Sequence, residues 1–239
     1  MQKKFTLTLL GLILAGSLSS TTLGQGRSVN ARDALRRGSQ QYAQANYERA
    51  IEEYRRVPAN ADAYAKALYN IGVCYYELWK TEEAIDYYRQ AIDASKGRYP
   101  AASHALGVAL RDLRQLPEAK KAFAESVAAS QGNYAPPHFL LGLMAMDESD
   151  HEEAVASFQR AIARFNGPFP AGHNNLGVAL ATLHRWEEAK REFEIALAQA
   201  GGELSEATEN LKLCNSLLGR TTRTIPTFNL VAGNVRSIR

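Results

Sequence analysis

A chain of 239 residues has room for one or two domains and a sizeable core. Apolar residues make up 46% and charged residues 22%, the balance of an ordinary globular protein, which excludes collagenous, disulfide-dense and wholly disordered chains. The formal charge of +3 falls to +1 without Lys3 and Lys4, and setting aside Arg220, Arg223, Arg236 and Arg239 leaves the body at −3, no electrostatic footprint for nucleic acid.

Residues 1–24 read as an export signal. Lys3 and Lys4 form a positive start, and the 12 residues from Phe5 to Gly16 are apolar. That run is short of the roughly 20 residues that span a bilayer and fits a signal core of about 7–15. Thr22 and Gly24 supply small residues for cleavage after Gly24, with Ser17 and Ser19 marking weaker alternatives. A buried N-terminal helix or an uncleaved anchor is the competing reading. No Cys lies in this stretch, which excludes a lipoprotein anchor. The mature chain is expected to be periplasmic or extracellular, with no integral membrane span.

From residue 31 onward the chain is periodic. Gly72, Gly107, Gly142 and Gly177 recur every 35 residues, each after a large apolar residue: Ile71, Leu106, Leu141, Leu176. Ala84, Ala119, Ala154 and Ala189 keep the same step, as do Tyr88, Phe123, Phe158 and Phe193, and then Gly97, Gly132, Gly167 and Gly202. Gly38, Ala50 and Tyr54 fit an earlier copy one residue out of step. Each copy carries two stretches of apolar residues at helical spacing. In the second copy these predict helices over Ala65–Trp79 and Thr81–Ser95. Asn46, Thr81 and Asp150 are candidate N-caps and Pro117 a first-turn proline. The Glu82–Glu83 pair and its repeats at Glu118, Glu152–Glu153 and Glu187–Glu188 sit in first turns, where the helix dipole favours them. The Gly97 series falls where helix ends need a left-handed residue. The Gly72 series is costly, since a helical Gly loses roughly 1 kcal/mol against Ala. Close approach of the second helix at the Ala84-type positions is the expected compensation, with the aromatics filling the seam to the next copy.

The copies read LYNIGVCY…EEAIDYYRQA, HALGVAL…PEAKKAFAES, FLLGLMA…EEAVASFQRA and HNNLGVAL…EEAKREFEIA. This pattern resembles the tetratricopeptide repeat over Ala31 to about Gly202. The resemblance implies an all-α, right-handed α-solenoid of five helix pairs, at about 31–64, 65–99, 100–134, 135–169 and 170–202, in a chain that binds proteins. Prolines that usually end each copy are displaced to Pro100, Pro136 and Pro170, beside the residue that lengthens the period.

Residues 203–219 continue the phase as a capping helix. Leu211 takes the large apolar position, but Lys212 replaces the glycine, as expected if no further helix follows to demand a small residue. Cys74 and Cys214 lie 140 residues apart, four periods. Stacked helices sit about 10 Å apart and a disulfide needs Cα atoms within about 7 Å, so two free thiols are expected. Residues 220–239 form a basic, non-helical tail broken by Pro226, in which TFNLV and VRSIR flank Ala232-Gly233-Asn234. Disorder, a hairpin, or docking in a groove or on a partner all remain open for it.

No catalytic constellation is present. His104, His138, His151, His173 and His184 form no pair at helical spacing, and no metal-ligand set converges on them. No phosphate loop or nucleophile motif occurs, and the periodic Glu pairs suit helix starts rather than acid–base work. Trp79 and Trp186 fall at the turns between paired helices, where packing is expected. No cofactor or metal is expected, and no enzyme.

In members of the resembled family the first helix of each pair lines a concave groove. The matching positions here are Arg32, Ser39, Tyr42, Lys66, Tyr69, Val73, Tyr76, His104, Val108, Arg111, Phe139, Leu143, Met146, Asn174 and Val178. About half should be exposed, since packing between first helices competes for them. Members that clamp a C-terminal carboxylate use Lys and Asn where this chain has Leu35 and Ser39, which argues against that mode. Arg32, Lys66 and Arg111 suit an acidic peptide. The expected role is a non-catalytic scaffold or adaptor in the bacterial envelope, with a protein or peptide partner and a monomer favoured. The alternatives are an accessory subunit of an envelope enzyme complex and a structural protein that self-assembles through its tail.

Overall fold

The computed structural model describes residues 30–218 and 227–231; the expected export signal and the rest of the tail lie outside them. The described residues contain eleven helices. The first pair is α1 Ala31–Ala43 with α2 Tyr47–Arg55, and the second α3 Tyr64–Glu77 with α4 Thr81–Ala94. Then come α5 Pro100–Asp112 with α6 Leu116–Ala129, α7 Ala135–Asp147 with α8 His151–Arg164, and α9 Pro170–Thr182 with α10 Trp186–Gln199. A single helix, α11 Ser205–Leu217, closes the stack against α10 and α9. This is the all-α solenoid with a terminal cap. Alternate first helices touch (α1 with α3, α3 with α5, α9 with α11), so the first helices crowd the inner side of the curve and line its concave face.

Short helices of this kind hold together by stacking, not by propensity. Each pair turns in the same way. Ala45, Trp79, Arg114, Ser149 and His184 all have φ between 58° and 61°. The next N–H in each case returns to a carbonyl five residues back: Asn46 to Gln41, Lys80 to Tyr75, Gln115 to Leu110, Asp150 to Ala145 and Arg185 to Leu180, at 2.8–3.0 Å. These are Schellman closures made by residues that carry a Cβ. At the other end of the repeat the same closure is made at Lys96, Gln131 and Gly201, with φ of 54°, 52° and 61°, and the glycine that follows each and donates five residues back, Gly97, Gly132 or Gly202, also has positive φ, +73°, +76° and +85°.

The start signals were partly misread. Asp150 caps α8 by accepting from the Glu153 N–H at 3.2 Å. Asn46 stands at the cap of α2 but makes no cap bond; its amide donates to Gln41 and Gln44 instead. Thr81 is the first helical residue of α4, with Lys80 in the cap position. The displaced prolines Pro100 and Pro170 open α5 and α9, and Pro136 lies in the first turn of α7.

The interior glycines have a different cause from the one expected. A Cβ on Gly72 would lie 2.7 Å from the ring of Tyr88, and one on Gly38, Gly107, Gly142 or Gly177 would lie 2.4–2.7 Å from Tyr54, Phe123, Phe158 or Phe193. The aromatic of the second helix therefore reaches back into its own pair and takes the glycine's side-chain space. The small Ala84-type residues approach less closely, with the Ala84 carbonyl 3.2 Å from the same point. Lys212, at the glycine position of α11, is exposed, with no described helix laid over it.

Cys74 and Cys214 are buried and free. Burial pushes the Cys74 thiol up to about 12 and raises that of Cys214. Among the described residues no helix is long and apolar enough to cross a membrane.

Candidate peptide-binding groove

The concave face changes character along its length. Arg32 and Lys66 are exposed at its N-terminal end, and Tyr42, Tyr69, Tyr76, Arg111, Leu143 and Met146 are half-buried along it. Ser39 is exposed, its Oγ 3.3 Å from the Tyr54 hydroxyl. Val73, Val108, Val178, His104, Phe139 and Asn174 are buried. Tyr76 donates to Asp112 of the next repeat. A cleft of about 680 Å³ opens beside these two, lined also by Trp79, Leu116, Met144 and Glu148. Trp79 is 80% exposed at its rim, whereas Trp186 is half-buried against the core.

His104 and Phe139 are buried because they belong to an aromatic ladder. Tyr69, His104 and Phe139 occupy one position in successive first helices. Each lies over the ring of its partner helix, Tyr88, Phe123 and Phe158, at centroid distances of 5.9, 5.9 and 5.7 Å. Each also meets the ring that begins the next repeat, Tyr99, Tyr134 and Phe169, at 5.2, 5.6 and 5.2 Å. In the fifth repeat the same position is Asn174, which has no ring to lay over Phe193.

The tail supplies it. Phe228, only 7% exposed, stacks on Phe193 at 6.1 Å with 12° between planes, and on Trp186 at 6.2 Å. Residues 227–231 belong to no helix or strand; asparagines hold the backbone of two residues two apart, Asn229 and Val231, the alternation of an extended chain. The Asn210 amide donates to the Asn229 carbonyl and accepts from the Asn229 N–H, both at 2.8 Å. The Asn175 amide does the same to Val231, donating at 2.9 Å and accepting at 2.8 Å. Asn175 and Asn210 are one 35-residue period apart, and the residues they grip are two apart, so both gripped backbones face one side of the extended segment. Asn174 joins them: it donates to the Asn229 carbonyl at 3.0 Å and accepts from Asn210 at 2.9 Å. Asn174, Asn175 and Asn210 are all at most 1% exposed, so each amide is buried with its partners in place. The Asn229 side chain donates to Glu209 at 2.8 Å. The segment runs from α11 towards α9, against the order of the repeats.

Of this site, sequence reasoning singled out Asn174 alone. Asn175, Asn210, Glu209, Phe193, Trp186 and Phe228 were missed as ligand contacts. One signal was available: Asn174 interrupts the series Tyr69, His104, Phe139, and Asn175 stands where the previous repeat has Leu140. Among the described residues no group of His, Cys, Asp and Glu is placed to hold a metal ion.

Tetratricopeptide repeat models match residues 31–97 and, in overlapping units, 80–134, 104–173 and 139–203. No curated protein matches the chain. Among solved structures, pilF of Pseudomonas aeruginosa is similar over 79% of this chain and 84% of its own, at 18% identity and a TM-score of 0.67. YrrB, described as a tetratricopeptide repeat protein with an unusual peptide-binding site, is similar over 77% and 92%, at 21% identity and 0.59. MamA is similar over 69% and 94%, at 20% identity and 0.59. At these identities the structural likeness speaks for the fold, while the repeat models cover most of the chain, which therefore belongs to the tetratricopeptide repeat family.

Proposed function

We propose that this chain is a non-catalytic protein–protein interaction scaffold, exported to the bacterial envelope, whose concave face takes up an extended segment of a partner. One observation carries the reading: the groove already holds an extended segment, residues 227–231, through its backbone and one buried ring. The peptide-binding site ascribed to YrrB, a protein of similar fold, supports it. The charge of Arg32 and Lys66 at the other end suits acidic residues in the same partner. Export rests on the run from Phe5 to Gly16. Docking of the tail within its own chain favours a monomer over self-assembly through the tail.

A photo-crosslinking amino acid placed at Tyr69 or Leu143, both on the groove, tests the reading in envelope extracts. The control positions are Arg89 and Lys121, exposed on the second helices α4 and α6. A discrete partner captured from the groove positions alone supports it. Capture only from the second-helix positions contradicts it.

A further inference from the structure

The asparagine clamp is more than a way of tying down a chain end. A buried primary amide that both donates to and accepts from one residue's backbone satisfies an extended peptide of almost any sequence. Two such amides, on Asn175 and Asn210, read residues two apart. Selectivity then has to come from side chains, and one is plainly selected. The slot over Phe193 and Trp186 accepts a flat ring, since the second, third and fourth repeats fill the matching place with a ring from their own first helix. In the fifth repeat, where the position is Asn174, that place is filled by the Phe228 ring arriving from the tail. Leu230, the next residue on the ring's side of the segment, packs half-buried against the core, and Val231 is half-buried on the other side. The Asn229 side chain reaches a charge, Glu209, as a neutral donor.

We infer that α9, α10 and α11 form a site for an extended partner segment of the pattern aromatic–polar–aliphatic–aliphatic, and that residues 228–231 of this chain are its built-in competitor. The inference rests on the groove reading above and narrows it to one end of the groove and one ligand chemistry. The segment docks in the direction α11 to α9, with its ring over Phe193 and its backbone on Asn210 and Asn175. Because the competing tail is tethered to α11, it acts at a high effective concentration. A partner must therefore displace it, and its apparent affinity is lowered by the fraction of time the site is closed.

The test uses the full chain and a labelled peptide of sequence TFNLVA in fluorescence anisotropy. The double substitution Phe228→Ala with Asn229→Pro removes the tail's ring and the N–H that Asn210 accepts, without altering the site. This variant should bind the peptide at least about tenfold more tightly than the unaltered chain. A peptide of sequence TAPLVA should not bind it. Equal binding by the two proteins, no binding by the variant, or equal binding of the two peptides would each overturn the inference. A second measurement needs no altered protein. Excess TFNLVA added to the natural sequence should speed amide exchange at Asn229 and Val231, and TAPLVA should not; exchange unmoved by saturating TFNLVA overturns the inference as well. A concentration-dependent dimer abolished by Asn229→Pro would assign the site to a second copy's tail and overturn it too. If TFNLVA fails while crosslinks from Tyr69 and Leu143 persist, the groove reading stands and this inference alone falls.

Discussion

The ring of Phe123 fills the space that a side chain on Gly107 would need: a Cβ there would lie 2.5 Å from ring atom Cε1. The same relation joins Gly38 to Tyr54, Gly72 to Tyr88, Gly142 to Phe158 and Gly177 to Phe193. A residue costly to helix formation is thus retained five times because it lets a ring lie across its own helix pair.

Gly107→Ala should therefore destabilise the solenoid although Ala is the better helix former. Overpacking of this kind costs about 1–3 kcal/mol, and Gly142→Leu should cost more than Gly107→Ala. Thermal melts by circular dichroism check both. Phe123→Leu should cost less stability in the Gly107→Ala background than it does alone, a coupling that a double-mutant cycle reads directly. An unchanged melting temperature in Gly142→Leu would refute the packing account.

The five Schellman turns point the other way. Ser149 is exposed and has φ of 61° with a Cβ in place. A left-handed L-residue is strained by roughly 1–2 kcal/mol, partly offset by glycine's greater entropy loss on folding. Ser149→Gly should stabilise by about 0.5–1 kcal/mol, seen as a higher denaturant midpoint at unchanged slope.

His138 gives the fold a pH dependence. Its Nε2 lies 3.2 Å from the Gly132 carbonyl, so the neutral ring donates there. Burial lowers its pKa from 6.5, the Gly132 carbonyl opposes that shift, and Arg164 and Arg160 add to it while Glu153 opposes it. The unfolded chain takes up the proton first as pH falls. The stability held above 6.5 is accordingly lost on acidification from there towards the folded-state pKa. Denaturant midpoints at pH 7.5 and 5.5 should fall further in the natural sequence than in His138→Gln; parallel losses would contradict the assignment.

Neither thiol should react in the native protein. Thiolate is the reactive form, and burial holds Cys74 up at about 12 and raises Cys214. Ellman's reagent should modify neither Cys until denaturant is added, and then both.

Much of this architecture was legible because it is periodic. Four combs of glycine, alanine and aromatic residues fix the repeat, and Lys212 marks its end. What periodicity could not supply was the reason for the glycines, since a spacing does not say whether Ala84 or Tyr88 comes closest. The groove was legible only as a set of first-helix positions. Phe139 and His104 lie on first helices but are buried, because each is covered by the ring that opens the next repeat, Phe169 or Tyr134. Asn174 appeared as one more lining residue. Its role depends on Asn229, 55 residues away beyond a break in the pattern, and no local signal joins the two. The sequence allowed a docked tail but did not choose it over a hairpin or disorder; for residues 227–231 the structure chooses docking.

Asn210 is the residue on which that docking turns. It is 1% exposed, grips Asn229 twice and donates to Asn174, so Asn210→Ala would strip three hydrogen bonds from a buried network. Hydrogen–deuterium exchange of the Asn229 and Val231 amides tests the clamp most directly. Both amides should exchange at least about tenfold more slowly than in the free peptide TFNLVA, and Asn210→Ala should release Asn229 to near the free rate. Exchange of both amides at the free-peptide rate in the natural sequence would contradict the clamp, and with it the claim that this groove holds an extended segment by its backbone.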